Sequence, residues 1–117
     1  MLTIEKLRAY GANVDEGMGR CMNNEAFYLR LVNMAADDGG FEKLRAAMES
    51  GDRKESFEAA HALKGMLGNL SLTPVSRPAS ELTELLRLET GNAADGGPLL
   101  EEILAQREKL LKLRDEA

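Results

Sequence analysis

The chain has 117 residues, 44% hydrophobic and 30% charged, with a net charge of −5. That length supports one core and is short for two, and the acidic balance excludes nucleic acid and anionic membrane as natural partners, because both select a basic surface. With three Phe, two Tyr and no Trp, the core must be filled by Leu, Met and Ala; Val and Ile are scarce and no run alternates with period two, so strands are not expected.

In chain order, Thr3 caps a short helix that runs to Tyr10 and stops at Gly11. Residues 11–23 are rich in Gly, Asn and Asp and read as a loop, with room for one turn between Asp15 and Cys21. Asn23 or Asn24 then caps a helix whose apolar stripe is Phe27, Leu31, Met34 and Ala35. The run Asp37-Asp38-Gly39-Gly40 interrupts it, and Phe41 to Ser50 resumes with Phe41, Leu44, Ala47 and Met48 on one side. The two pieces are expected to act as one helix, kinked or broken near 39–40, because paired glycines are a known cause of kinks.

Gly51 stops that helix and Asp52 caps the next, about Arg53 to Leu72. Thr73-Pro74 closes it and opens another, with Thr73 as cap and Pro74 at the first helical position. Pro78 falls near the first turn, and the helix runs to about Thr90 with Leu82, Leu85, Leu86 and Leu88 as its apolar face. Gly91 to Gly97 reads as a flexible loop. Pro98 starts the last helix, to about Arg114, with Leu99, Leu100, Ile103, Leu104, Leu110, Leu111 and Leu113 as packing candidates. The expected fold is all-α: a single domain over 1–117, in which an antiparallel up-down four-helix bundle (24–115) follows a short extra N-terminal helix and loop (1–23).

Residues 57–72, FEAAHALKGMLGNLSL, contain the only histidine, His61. At about 100° per residue, Ala60, Leu63, Leu67 and Leu70 fall within about 80° of arc, and His61 lies roughly 150° from their centre. The imidazole therefore points outward, with Lys64 one turn on and Gly65 and Gly68 on the same stripe. Two glycines in a helix interior cost roughly 1 kcal/mol each against alanine, so something outside the helix needs the room they leave.

A lone histidine in a helical protein is most often a surface or satisfied core residue. A metal site is disfavoured here, because no second histidine and no cysteine cluster completes a ligand set. Nothing supplies the nucleophile and oxyanion pocket of a Ser-His-Asp triad, and no phosphate-binding loop of the GxxxxGK type occurs. An exposed imidazole is nonetheless a nucleophile, largely neutral near pH 7, that can accept a phosphoryl group and hand it on. Such transfer depends on positioning and charge stabilisation. Lys64, at i+3, can reach alongside the ring, and Gly65 and Gly68 leave the approach open.

The run His61-Ala62-Leu63-Lys64-Gly65, with Leu70 five residues on, resembles the signature of histidine-containing phosphotransfer (HPt) domains, H-x-L-K-G-x-[small]-x-x-L-G. The preceding Ser50-Gly51-Asp52 and the following Glu81-Leu82 also fit, so the resemblance covers about residues 24–115. Leu67 departs from it at a position usually small, and Ser71 at one usually glycine. The resemblance implies a phosphorelay intermediate. His61, through Nε2, would take a phosphoryl group from a receiver aspartate and pass it to a second receiver. The implied partners are receiver domains of response regulators and of hybrid sensor histidine kinases. Mg²⁺ would be held by the receivers, and no cofactor or metal by this chain; kinase activity and a nucleotide site of its own are not expected. Lys64 would stabilise phosphoryl charge, Gly65 and Gly68 would give access, and Lys54 and Arg87 are further docking candidates.

The rival reading is a non-catalytic helical module that binds a receiver or another partner without accepting phosphate; a scaffolding bundle is a third. A monomer is the simplest expectation, and a start at Met1 leans toward a freestanding shuttle. No apolar run approaches the ~18 residues of a membrane span, and MLTIEKLRAY lacks the basic start and apolar stretch of a signal peptide. The lone Cys21 excludes an internal disulfide and suits a reducing compartment, so the cytoplasm is expected. Cys21 itself reads as a partly buried, unreactive thiol.

Overall fold

The computed structural model describes residues 1–88 and 93–116. It contains helices α1 (Ile4–Tyr10), α2 (Val14–Arg20), α3 (Glu25–Ala36), α4 (Gly40–Ser50), α5 (Arg53–Asn69), α6 (Thr73–Arg87) and α7 (Gly97–Asp115), with one 3₁₀ turn at Ala93–Gly96 and no strand among the described residues. Helix α5 packs between α4 and α6, α6 packs on α7, and α7 closes back onto α4. Two-to-three-residue connections at 51–52 and 70–72 force antiparallel neighbours. The result is an up-down bundle of α4 to α7, with α3 against α7. Phe41, Leu44, Ala60, Leu63, Leu67, Leu82, Ile103 and Leu110 form its buried centre.

Capping residues act where the sequence places them for α1, α3 and α5. Thr3 Oγ1 accepts from Lys6 N at 3.1 Å, Asn24 Oδ1 from Phe27 N at 3.0 Å and Asp52 Oδ1 from Glu55 N at 3.0 Å. Gly51, at φ +75°, terminates α4 in the left-handed conformation that glycine adopts without steric cost. Four helix C-termini are covered by cations from elsewhere in the chain. Lys6 donates to carbonyls of Leu113 and Glu116, Arg20 to Gly68 and Asn69, Arg53 to Leu85 and Leu86, and Arg107 to Ala36. Each places positive charge on the negative end of a helix dipole and satisfies carbonyls that lack an intrahelical donor.

Several expectations are corrected. Residues 14–20 form helix α2, not a loop; the Gly and Asn that suggested a loop are a cap and a contact. Asn13 caps it, and a Cβ on Gly17 would stand 2.6 Å from Leu70 O and 2.7 Å from Tyr28 Cε1. The buried face of α3 is Tyr28, Val32, Ala35 and Ala36, whereas Phe27 (40%) and Met34 (60%) are exposed. The stripe is rotated because the Tyr28 hydroxyl reaches inward to donate to Leu70 O at 2.8 Å. The break expected near 39–40 is present: residues 37–39 separate α3 from α4, and Asp38 Oδ2 accepts from Gly40 N at 2.8 Å.

Helix α6 begins after Leu72 with Thr73 already helical, and Pro78 lies in its second turn, buried. Leu88 follows the end of α6 and is 59% exposed, so it does not belong to the apolar face. The expected end at Thr90 and the start of the Gly91–Gly97 loop lie outside the described residues; at its other end Gly96 is buried in the 3₁₀ turn. Two short helices, not one, precede the bundle. Asn13 N donates to Ser71 O at 2.9 Å, and Met1 N donates to Arg114 O and Glu116 O. The N-terminal region thus covers the end where α5 turns into α6 and α7 finishes.

Candidate functional site

The amphipathic spacing of α5 sets the site. Ala60, Leu63 and Leu67 are buried against α4 and α6, and His61 is carried to the exposed side. Its ring stacks on Phe57, one turn earlier, with centroids 5.7 Å apart and planes 7° from parallel. Phe57 is half-buried, so it contributes to packing with part of its ring and supports the imidazole with the rest. Such offset stacking contributes about 0.5–1.5 kcal/mol beyond area burial.

Cations surround this pair. The Arg87 guanidinium lies 5.2 Å from the Phe57 ring centroid, a cation–π distance. Lys64 Nζ is 3.9 Å from Glu84 Oε1, and Arg87 Nε is 3.4 Å from Glu84 Oε2. All three side chains remain substantially solvated, at 37% for Lys64, 52% for Arg87 and 59% for Glu84. Lys54 is exposed and lines a groove with Arg53, Phe57, Leu86 and Arg87. Arg87 is thus joined to the histidine through Phe57, and Lys54 lines the same groove. A Cβ at Gly65 or Gly68 would meet nothing within 4 Å, so both positions open onto space.

Sequence reasoning placed His61, Lys64, Gly65 and Gly68 on one outward stripe, and the structure puts them there. It missed two residues. Phe57 was not among the candidates, although its i−4 spacing from His61 signals a face-sharing pair. Glu84 was not singled out; its i−3 spacing from Arg87 was readable, but its reach to Lys64 crosses from α6 to α5.

The two departures from the HPt pattern have physical explanations. Leu67 is fully buried, so its bulk goes into the core, away from His61. Ser71 adopts φ +55°, the left-handed conformation that favours glycine after a helix. Leu72 N donates to Leu67 O at 3.1 Å and Ser71 N to Gly68 O at 3.0 Å, the double bond of a Schellman motif. The left-handed cost, about 1–2 kcal/mol for a residue with a Cβ, is offset by hydrogen bonds glycine could not make. Ser71 Oγ donates to Glu16 Oε1 at 2.7 Å and accepts from Arg20 Nη1 at 2.8 Å. The Ser71 hydroxyl first, and Arg20 next, hold the Glu16 carboxyl below its usual range.

Among the described residues no three His, Cys, Asp or Glu side chains are grouped to hold a metal ion, and no helix is long and apolar enough to cross a membrane. Comparison with curated proteins and with solved structures gave no match. The Hpt domain family model matches residues 31–116, from within α3 to the end of α7. With that match over most of its length, the chain belongs to the Hpt domain family, the phosphotransfer modules of two-component phosphorelays.

Proposed function

We propose that this chain is a phosphorelay intermediate that carries the phosphoryl group on Nε2 of His61. The observation that supports it is the conjunction on α5: an exposed imidazole stacked on Phe57, Lys64 one turn on, and open space above Gly65 and Gly68. In the proposed step, the neutral ring attacks phosphorus of a receiver's aspartyl phosphate. The Nε2–P bond forms as the acyl P–O bond breaks, the aspartate leaves as carboxylate with the electron pair, and the ring retains its Nδ1 proton as an imidazolium. The return step to a second receiver reverses the bookkeeping.

Phe57 limits the ring's rotation, which lowers the entropy cost of alignment. Lys64 leaves Glu84 to meet the incoming phosphoryl oxygens. Gly65 and Gly68 admit the partner's site, and Lys54 and Arg87 supply positive charge at its edge. Mg²⁺ belongs to the receiver. The partners are receiver domains of response regulators and hybrid kinases, the chain acts as a monomer in the cytoplasm, and it has no kinase activity of its own.

The test is incubation with a phosphorylated receiver, followed by measurement of acid-labile label on this chain. Wild type should take up label and His61→Gln none. Receiver binding without label on wild type would favour the non-catalytic module and sink the relay.

A further inference from the structure

The site holds an anion that the chemistry above does not require. Glu84 sits on the exposed side of α6, whose opposite side is anchored by buried Leu82 and Leu86. Its carboxylate contacts both site cations, Lys64 through Oε1 and Arg87 through Oε2. Arg87 is held on a second side by the Phe57 ring. Both ion pairs are solvent-exposed, and exposed ion pairs are weak. They are strong enough to orient the resting side chains and weak enough to exchange.

A phosphoryl group on His61 would bring about two negative charges to a surface served by the same two cations. Whatever charge of Lys64 is engaged by Glu84 is charge that the phosphoryl oxygens must compete for. To the extent that phosphorylation weakens the resting ion pairs, their strength opposes the phosphorylated state. A relay needs that opposition, because a phosphohistidine held too firmly is not passed on.

Building on the proposed function, we propose that Glu84 is a positioning residue that competes for Lys64 and Arg87 and thereby keeps the phosphoryl group on His61 transferable. It touches no reacting atom in this role. Its effect appears in the partition of the phosphoryl group, not in the integrity of the bundle.

The experiment compares wild type with Glu84→Gln, which removes the charge and keeps the shape. Each is equilibrated with one phosphorylated receiver, and label is counted on both proteins; release from the labelled chain to fresh receiver is then timed. Glu84→Gln should shift the partition toward phosphohistidine by about two- to tenfold, within what one or two exposed ion pairs supply, and should slow release correspondingly. In a Lys64→Ala background the same substitution should shift the partition less than half as much. An unchanged partition in Glu84→Gln, with both proteins taking label, overturns the role of Glu84 and leaves the relay standing. A shift equally large without the lysine means that Glu84 acts by direct repulsion, and also overturns it. No label on wild type removes the relay, and this inference with it.

Discussion

Around His61, α5 faces solvent and its polar neighbours are exposed ion pairs and an aromatic shelf. Two turns further on, at Leu70 and Ser71, the same helix is enclosed. Tyr28 Oη donates to Leu70 O, Asn13 N to Ser71 O, Arg20 and Glu16 bind the Ser71 hydroxyl, and Gly17 presses against Leu70 O. One end of α5 is held by several directional hydrogen bonds from other helices, with the Tyr28 bond buried, that together define a single position. The middle carries contacts that can be exchanged. On the proposed function, a group approached by two partners in turn is served by exchangeable charges on a fixed base, and the two regions would divide that work.

The comparison can be broken from its rigid side first. Gly17→Ala places a methyl group 2.6 Å from Leu70 O, and overpacking of this kind costs about 1–3 kcal/mol. The thermal midpoint should fall by several degrees, while label uptake by the folded fraction stays at the wild-type level. A wild-type melting curve would show that α2 is not held where described.

Tyr28→Phe removes a buried donor and leaves Leu70 O short of a partner, for about 1–2 kcal/mol. Burial, and secondarily the charge of Cys21, push the Tyr28 hydroxyl up from 10.0 to about 12. Because the folded value is raised, the contribution is complete below about pH 10 and is lost as pH rises through about 12. Chemical denaturation followed from pH 9 to 12 should show that alkaline loss in wild type and a shallower one in Tyr28→Phe.

Ser71→Ala keeps the left-handed strain and loses the hydroxyl bonds, so about 1 kcal/mol should go; Ser71→Gly relieves the strain and should cost less. A larger loss in the glycine variant, measured by urea unfolding, would contradict the account of this turn.

The exposed side should behave in the opposite way. Lys64→Ala should change stability by less than about 0.5 kcal/mol, the usual range for surface positions, yet slow phosphoryl uptake measurably. If circular dichroism instead shows lost helicity, Lys64 is structural and the contrast between the two regions fails.

Much of the molecule follows from local rules that the sequence displays. Thr3, Asn24 and Asp52 are good caps because their side-chain oxygens reach the amides three residues on. Gly11 and Gly51 end helices because they accept positive φ. The spacing of Ala60, Leu63 and Leu67 buries one side of α5 and turns His61, Lys64, Gly65 and Gly68 to the other. Each of these depends on residues within one or two turns, so each is legible without a fold.

The tertiary structure decided what depends on distant parts of the chain. Phe27 and Met34 were as apolar as the residues that α3 buries; the Tyr28 bond to Leu70, across forty-two positions, selected the rotation. Helix α2 is a helix despite Gly17 and Gly19 because its glycine sits against α5 and Tyr28. Ser71 holds a turn that favours glycine because Glu16 and Arg20 arrive from another helix. At the site, His61 and Lys64 were readable from one helix, whereas Glu84 acquired its place only when α6 packed against α5. Sequence alone determined the outward face of α5 and the helix ends at Thr3, Gly11, Asn24, Gly51 and Asp52, because those are set by side-chain period and backbone dihedral preference. Packing determined which charges meet across helices, because that depends on the distance between them and on nothing nearer in the chain.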